Sequence, residues 1–232
     1  MFLGLDPLYW MFVGPTMLLA MWAQLRVKSA YGKWSNVGAS SRMTGAQAAQ
    51  RMLDSAGVRD VKIEAVQGFL SDHYDPKKKV LRLSPGVHQS QSVAAMGIAC
   101  HEAGHALQHA NGYAPLQLRT AIVPVAQIGS WLSWPLIFGG VLLNLANLTL
   151  LGVVAFSGVV LFQLVTLPVE FDASARAKRQ LMSLGILQSK QEAGGVSAVL
   201  NAAAMTYVAA TVTAVMQLLY FAMRAGLLGR RN

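Results

Sequence analysis

From position 120 to position 169 the chain runs for fifty residues without one Lys, Arg, Asp, Glu or His. About twenty apolar helical residues cross the roughly 30 Å hydrocarbon core of a bilayer, so this block is too long for one crossing and fits two. They are expected at about 121–143 and 149–169, with Asn144-Leu145-Ala146-Asn147 as the tight turn between them. A second uncharged run, residues 7–25, has Tyr9, Trp10 and Trp22 near its ends as interface anchors. No basic region precedes it and no small-residue cleavage site follows, so it reads as a retained membrane helix and not as a cleaved leader. A last apolar block, about 199–225, brings the expected membrane helices to four. Apolar residues make up 54% of the chain and charged residues 12%, and the apolar excess is collected in these blocks.

Between the first block and the central one the chain has ordinary soluble character. In MTGAQAAQRMLDSAGV, Thr44 is placed to cap a helix, Ala49, Met52, Leu53 and Ala56 share one face, and Gly57 is a natural stop. Residues 61–66 and 79–83 read as short strands, with the DHYDP segment as a turn between them. A helix follows from about Ser90 to Asn111. The segment EFDASARAKRQLMSLGILQSKQEAGG, after the central block, is polar and helix-like. There is no internal repeat, which disfavours a repeat-built transporter, and the central block lacks the ionisable groups a channel or pump needs.

The net charge is +9, but no nucleic-acid-binding motif is present and the basic residues flank apolar blocks, where membrane topology and anionic headgroups account for them. Residues 26–119 hold twelve Lys or Arg and 170–200 hold four. The stretch before the first helix and the 144–147 turn hold none, and the last stretch, with Arg230 and Arg231, holds three. The positive-inside rule then puts the polar regions in the cytoplasm and both termini outside. Cys100, the single cysteine, cannot build an internal disulfide framework and reads as a small buried side chain.

His101-Glu102-Ala103-Gly104-His105 is an H-E-x-x-H sequence inside a predicted helix. Residues i and i+4 share a face, so two imidazoles can reach one tetrahedral Zn²⁺ at about 2.0–2.1 Å. Glu102, beside the first ligand, is placed to take a proton from water at the metal as a general base. A third protein ligand is needed. His109 lies about 12 Å along the helix from His101 and cannot share its ion, so a packing or hydrogen-bonding role is expected for it. His73 and His88 are possible on spacing alone. Glu170 is the better candidate: two membrane crossings separate it from His105, and an even number returns the chain to the same face. Asp172 is the fallback, and the competing reading makes either acid a solvated charge at a helix start.

HEAGHALQHANGYAPLQLR, PVEFDASARA and GFLSDHYDPKKKVLRLS together resemble the YugP-like membrane zinc metallopeptidases of bacteria, in order and spacing, over nearly the whole chain. There is a looser likeness to the HtpX-like and CAAX prenyl membrane proteases, whose pattern carries an aspartate four residues after the ligand glutamate. Here that position is Ser174, which can accept a hydrogen bond from a ligand imidazole but orients it more weakly than a carboxylate. The resemblance implies a zinc-dependent peptidase in the bacterial inner or plasma membrane, with one Zn²⁺ held by His101, His105 and Glu170.

The expected architecture is therefore a mainly α, polytopic membrane protein with a small α+β, zincin-like catalytic region and a short sheet. Its divisions are 1–25, a membrane helix; 26–119, the catalytic region; 120–169, two membrane helices; 170–198, the third-ligand helix; and 199–232, the last membrane helix and tail. The expected partners are a peptide or protein substrate, membrane proteins included, and the lipid bilayer, with no nucleic acid. Residues 80–84 are the expected edge strand for substrate. His73, Tyr74, Tyr113 and Arg176 are the candidates for stabilising an oxyanion. Lys77, Lys78 and Lys79 read as a solvated turn or headgroup contact. The alternative function is an inactive membrane scaffold with a structural zinc site, which the scarcity of a fourth ligand disfavours.

Overall fold

The computed structural model describes residues 6–227. Arg230 and Arg231, which enter the charge count above, lie outside them. The chain is mainly helical, in the order α1 (Pro7–Trp34), α2 (Gly45–Ser55), β1 (Lys62–Ala65), β2 (His73–Asp75), β3 (Val80–Leu83), α3 (Pro85–His88), α4 (Val93–Ala110), α5 (Ala114–Leu142), α6 (Ala146–Ser183) and α7 (Lys190–Arg224). Four of these, α1, α5, α6 and α7, are long and apolar enough to cross a membrane. Each extends beyond its expected apolar run, because the polar residues that follow or precede it are also good helix formers.

Contacts divide the described residues into two compact units. One comprises residues 6–23, 118–167 and 206–227. Its interior is aromatic: Trp134 meets Phe221 edge-on at 5.7 Å, and Phe221 meets Phe156 edge-on at 6.3 Å. The Tyr220 hydroxyl, buried with Phe221, donates to Asp6 Oδ2 at 2.8 Å. At the α5–α6 crossing Gly152 has no room for a side chain, since a Cβ there would sit 2.8 Å from the Ile137 backbone nitrogen. Small residues at such crossings let membrane helices pack by close backbone approach. Large apolar side chains point outward, with Trp131 and Leu142 each 78% exposed, as a surface that meets lipid requires.

The other unit comprises residues 24–117 and 168–205. Helix α2 starts with a capping box: Thr44 Oγ1 accepts from the Gln47 amide at 3.2 Å, and Gln47 Oε1 accepts from the Thr44 amide at 2.9 Å. It buries Ala48, Ala49, Met52 and Leu53, and ends where Gly57 takes φ +72°. Ser92 caps α4 through the Ala95 amide at 3.2 Å. The core also holds Leu81 and Leu83 of β3, Met96 and Cys100 of α4, and Leu181 of α6.

The sheet differs from the strand–turn–strand expectation. It has three strands in the order β1-β3-β2, with β1 parallel and β2 antiparallel to β3. His73–Asp75, expected as part of a turn, is a strand, and the turn falls later: Asp75 Oδ1 accepts from the Lys77 and Lys78 amides, and Lys79 takes φ +52°. A parallel β1–β3 pair cannot be closed by a tight turn, so β2 supplies the hairpin partner. Residues 80–84 are consequently not an edge. Strand β3 is paired on both sides, and the free edges belong to β1 and β2.

Candidate metal centre

The H-E-x-x-H residues sit on α4 and Glu170 on α6, and Gly104 governs how closely the two helices meet. A Cβ on Gly104 would lie 2.7 Å from the Ala173 carbonyl oxygen, so only glycine permits this approach. It places Glu170 Oε2 3.2 Å from His101 Nε2 and 3.6 Å from His105 Nε2. One ligand atom from each of the three residues falls within 4.8 Å of the others. The imidazole rings meet edge-to-face, centroids 4.8 Å apart. Glu170 lies in the interior of α6, not at a helix start, and is 3% exposed. A solvated charge favoured by a helix dipole does not describe it.

The donor set can be tested against zinc. Ligands at about 2.0–2.1 Å in a tetrahedron are about 3.3–3.4 Å apart, and the two Nε2–Oε2 separations bracket that value. The protonation pattern agrees. Gln108 is fully buried, and its side-chain nitrogen donates to the Val169 carbonyl at 2.8 Å and to Asp172 Oδ2 at 2.9 Å. Both acceptors must face an NH₂, so the amide oxygen faces His105 Nδ1, at 3.0 Å. His105 Nδ1 therefore carries a proton and donates it, and the lone pair of the neutral ring is at Nε2, aimed at Glu170. His101 Nδ1 pairs with Ser174 Oγ at 3.1 Å, leaving its Nε2 to face the same carboxylate. Two imidazole Nε2 atoms, that of His105 with its lone pair directed inward, converge with a carboxylate oxygen in a buried space, an arrangement that fits a cation.

Asp172, the fallback ligand, is outside this cluster. Arg176 Nε donates to its Oδ2 at 2.5 Å and Gln108 holds the same oxygen, so Arg176, Asp172, Gln108 and His105 form a chain. The Arg176 guanidinium lies 5.5 Å from the centre of the Tyr113 ring. His109 makes the expected hydrogen bond, its Nδ1 pairing with Tyr74 Oη at 2.9 Å. Burial pushes the Tyr74 hydroxyl up to about 12, with Asp60 and Asp75 adding to it. His73 is exposed on β2 against Ser71 and Arg82, and His88 ends α3. Neither belongs to the cluster. Cys100 is fully buried.

Glu102 faces the same region. Burial raises its carboxyl above the usual range, partly offset by His101 and His105. Sequence reasoning missed Gln108 as the partner of a candidate ligand imidazole. Its spacing three residues after His105 put it on the ligand's face of the helix and was the available signal.

The profile of a family described as "Putative neutral zinc metallopeptidase" matches residues 9–226. The chain belongs to this family. Among relatives, this family member is 49% identical over 205 residues to "Putative membrane protease YugP" of Bacillus subtilis (strain 168), an alignment that covers 88% of the present chain and 91% of the relative. No solved structure matches it. Four membrane-length helices and a His/Glu cluster able to hold a metal are what a membrane member of a zinc metallopeptidase family requires.

Proposed function

We propose that the chain is a membrane-embedded zinc endopeptidase in which His101, His105 and Glu170 hold one Zn²⁺ and Glu102 is the general base. The observation that carries this is the convergence of two imidazole Nε2 atoms, their rings held by Gln108 and Ser174, on a buried carboxylate of another helix. When bound, zinc supplies Lewis acidity, acidifying water and polarising a peptide carbonyl.

The chain's own residues do the rest. Three protein ligands leave a fourth position for water or substrate, the pattern of catalytic and not of structural zinc sites. Glu102, adjacent to His101, accepts the proton of the attacking water and returns it to the leaving amine. A carboxyl held above its usual range retains that proton long enough to pass it on. The substrate is a polypeptide, bound as an added strand. With β3 paired on both sides, the available edges are β1 and β2, and β2 carries Tyr74, one of the oxyanion candidates. The concentration of Lys and Arg in residues 26–119 supports a cytoplasmic zinc site in a bacterial inner or plasma membrane.

The test is zinc content and proteolysis of detergent-purified protein beside Glu102→Gln. One zinc per chain in both, with kcat at least about 100-fold lower in the variant, is expected. Zinc in both and no cleavage by either across a panel of peptides would favour a scaffold with structural zinc. Absence of zinc in the wild type would refute the metal assignment.

A further inference from the structure

The 67–71 loop carries two apolar side chains that no core accounts for. Phe69 is 76% exposed and Leu70 37% exposed. The turn is opened by Gly68 at φ +116°, which glycine adopts freely, and it holds Leu70 at φ +51°, in the left-handed region that a leucine adopts only at a conformational cost. An outlier of this kind on a loop is a pointer to function. Ser71 Oγ donates to the Gln67 carbonyl at 3.1 Å and closes the loop, so the exposed pair is presented by a defined turn.

The loop is attached to one particular place. Phe69 meets Tyr31 edge-on, ring centroids 5.4 Å apart. Tyr31 is on α1, six residues after Leu25, the last residue of the uncharged run that spans the hydrocarbon. Six residues are about 9 Å of helix, and the polar layer flanking the hydrocarbon is about 5–7 Å deep. Side chains of a helix lean toward its N-terminus, which for Tyr31 is back toward the hydrocarbon. The Tyr31–Phe69 pair is thus at headgroup depth, where aromatic rings are favoured. Leu25 is itself 59% exposed, an apolar side chain at this end of the membrane helix. Lys28 and Lys33, both exposed on the same stretch of α1, supply charge complementary to anionic lipid.

We infer that the Gly68–Ser71 turn is a membrane-surface anchor, with Phe69 and Leu70 inserted among the headgroups of an anionic leaflet. This goes beyond the peptidase reading and does not depend on it. The anchor would hold the sheet-bearing region against the bilayer, since the same loop runs directly into Asp72, whose carboxylate accepts from the Ser84 amide at 2.8 Å at the end of β3.

The experiment uses full-length protein in vesicles of phosphatidylethanolamine and phosphatidylglycerol. A polarity-sensitive fluorophore is placed at Phe69→Cys and, in a second variant that keeps both apolar residues, at Gln67→Cys. Cys100 is fully buried, so the wild type is the unlabelled control. Gln50→Cys, on the exposed face of α2, is the aqueous reference. Blue-shifted emission at 67 and 69, quenching by headgroup-level spin-labelled lipid, and protection from iodide are expected. Adding Phe69→Ser and Leu70→Ser to the Gln67→Cys variant should abolish the lipid quenching. Iodide quenching equal to that at position 50, with no lipid quenching, would overturn the inference. So would a shift that appears only on adding peptide, or only as protein concentration rises, which would assign the patch to a polypeptide or to a second copy of the chain.

Discussion

Replacing Gln108 with Met tests whether the buried amide orients the metal ligand or only fills space. Met has nearly the same length and no polar atoms of comparable strength, so packing is kept while three hydrogen bonds disappear, to His105, Val169 and Asp172. Asp172 keeps Arg176, but His105 Nδ1–H is left buried and unpaired. One unpaired buried donor costs about 1–3 kcal/mol, so folding stability should fall by that order. The metal site should suffer separately, because a partner that orients a ligand imidazole is typically worth about 10–100-fold in metal affinity. Zinc dissociation constants from chelator competition, measured beside thermal unfolding of the metal-free protein, separate the two effects. An apo-protein that melts lower but binds zinc as tightly as the wild type would refute the orienting role and reduce Gln108 to a packing residue.

Ser174→Ala removes a single neutral hydrogen bond to His101 and should weaken zinc by no more than about tenfold, seen in the same competition assay. Gly104→Ala should push α4 from α6, costing about 1–3 kcal/mol and lowering zinc occupancy, because its Cβ meets the Ala173 backbone and not a side chain that can turn away. Glu170→Ala should abolish stoichiometric zinc binding, whereas Asp172→Ala should retain it at reduced affinity; elemental analysis of both variants decides between the two acids as ligand. Chelator treatment should lower the melting temperature of the wild type and leave that of Glu170→Ala unchanged, since only a metal-binding native state is stabilised by mass action.

The parts of this fold that could be read in advance are those specified by strong local signals. An uncharged block of fifty residues admits two membrane helices and little else, and the Thr44–Gln47 box and Gly57 bound α2 from the sequence. The sheet was read less well, because β2 is three residues long and made of His, Tyr and Asp, which local propensity assigns to a turn. Its strand character comes from pairing with β3, a non-local fact. The continuity of α6 through Glu170 was hidden for a related reason. The change from apolar to charged residues at 169–170 looks like a helix boundary, but it is a change of surroundings along one helix. In the candidate site, His101, Glu102, His105 and Glu170 follow from motif and topology. The roles of Gln108 and Asp172 depend on which side of α6 meets α4, which no spacing along one chain segment encodes.

The charge on the centre leads to a further measurable consequence. A carboxylate in place of Ser174 would have added a negative charge to a buried site that already holds Glu102 and Glu170. Here both imidazoles are oriented by neutral groups, and Asp172, which holds Gln108, is matched by Arg176. Two carboxylates and two neutral imidazoles then balance a divalent cation. Without the metal, a proton is the available substitute. Burial lowers the basicity of His105, but its hydrogen bond to Glu170 and the charges of Glu102 and Glu170 outweigh burial and raise its pKa above the ordinary value. Protonated His105 therefore stabilises the metal-free protein fully below about pH 6.5, and this contribution is lost as pH rises through the raised folded pKa. Under the proposed ligand assignment zinc and proton compete for the same Nε2, so zinc affinity should move the other way, increasing by up to about tenfold per pH unit for each proton displaced until that pKa is passed. Melting temperatures with and without excess zinc, taken across pH 5 to 9, should diverge as pH rises. A zinc-dependent increment that stays constant over that range would mean that the proton and the metal do not share a site, and the ligand assignment of His105 would fall with it.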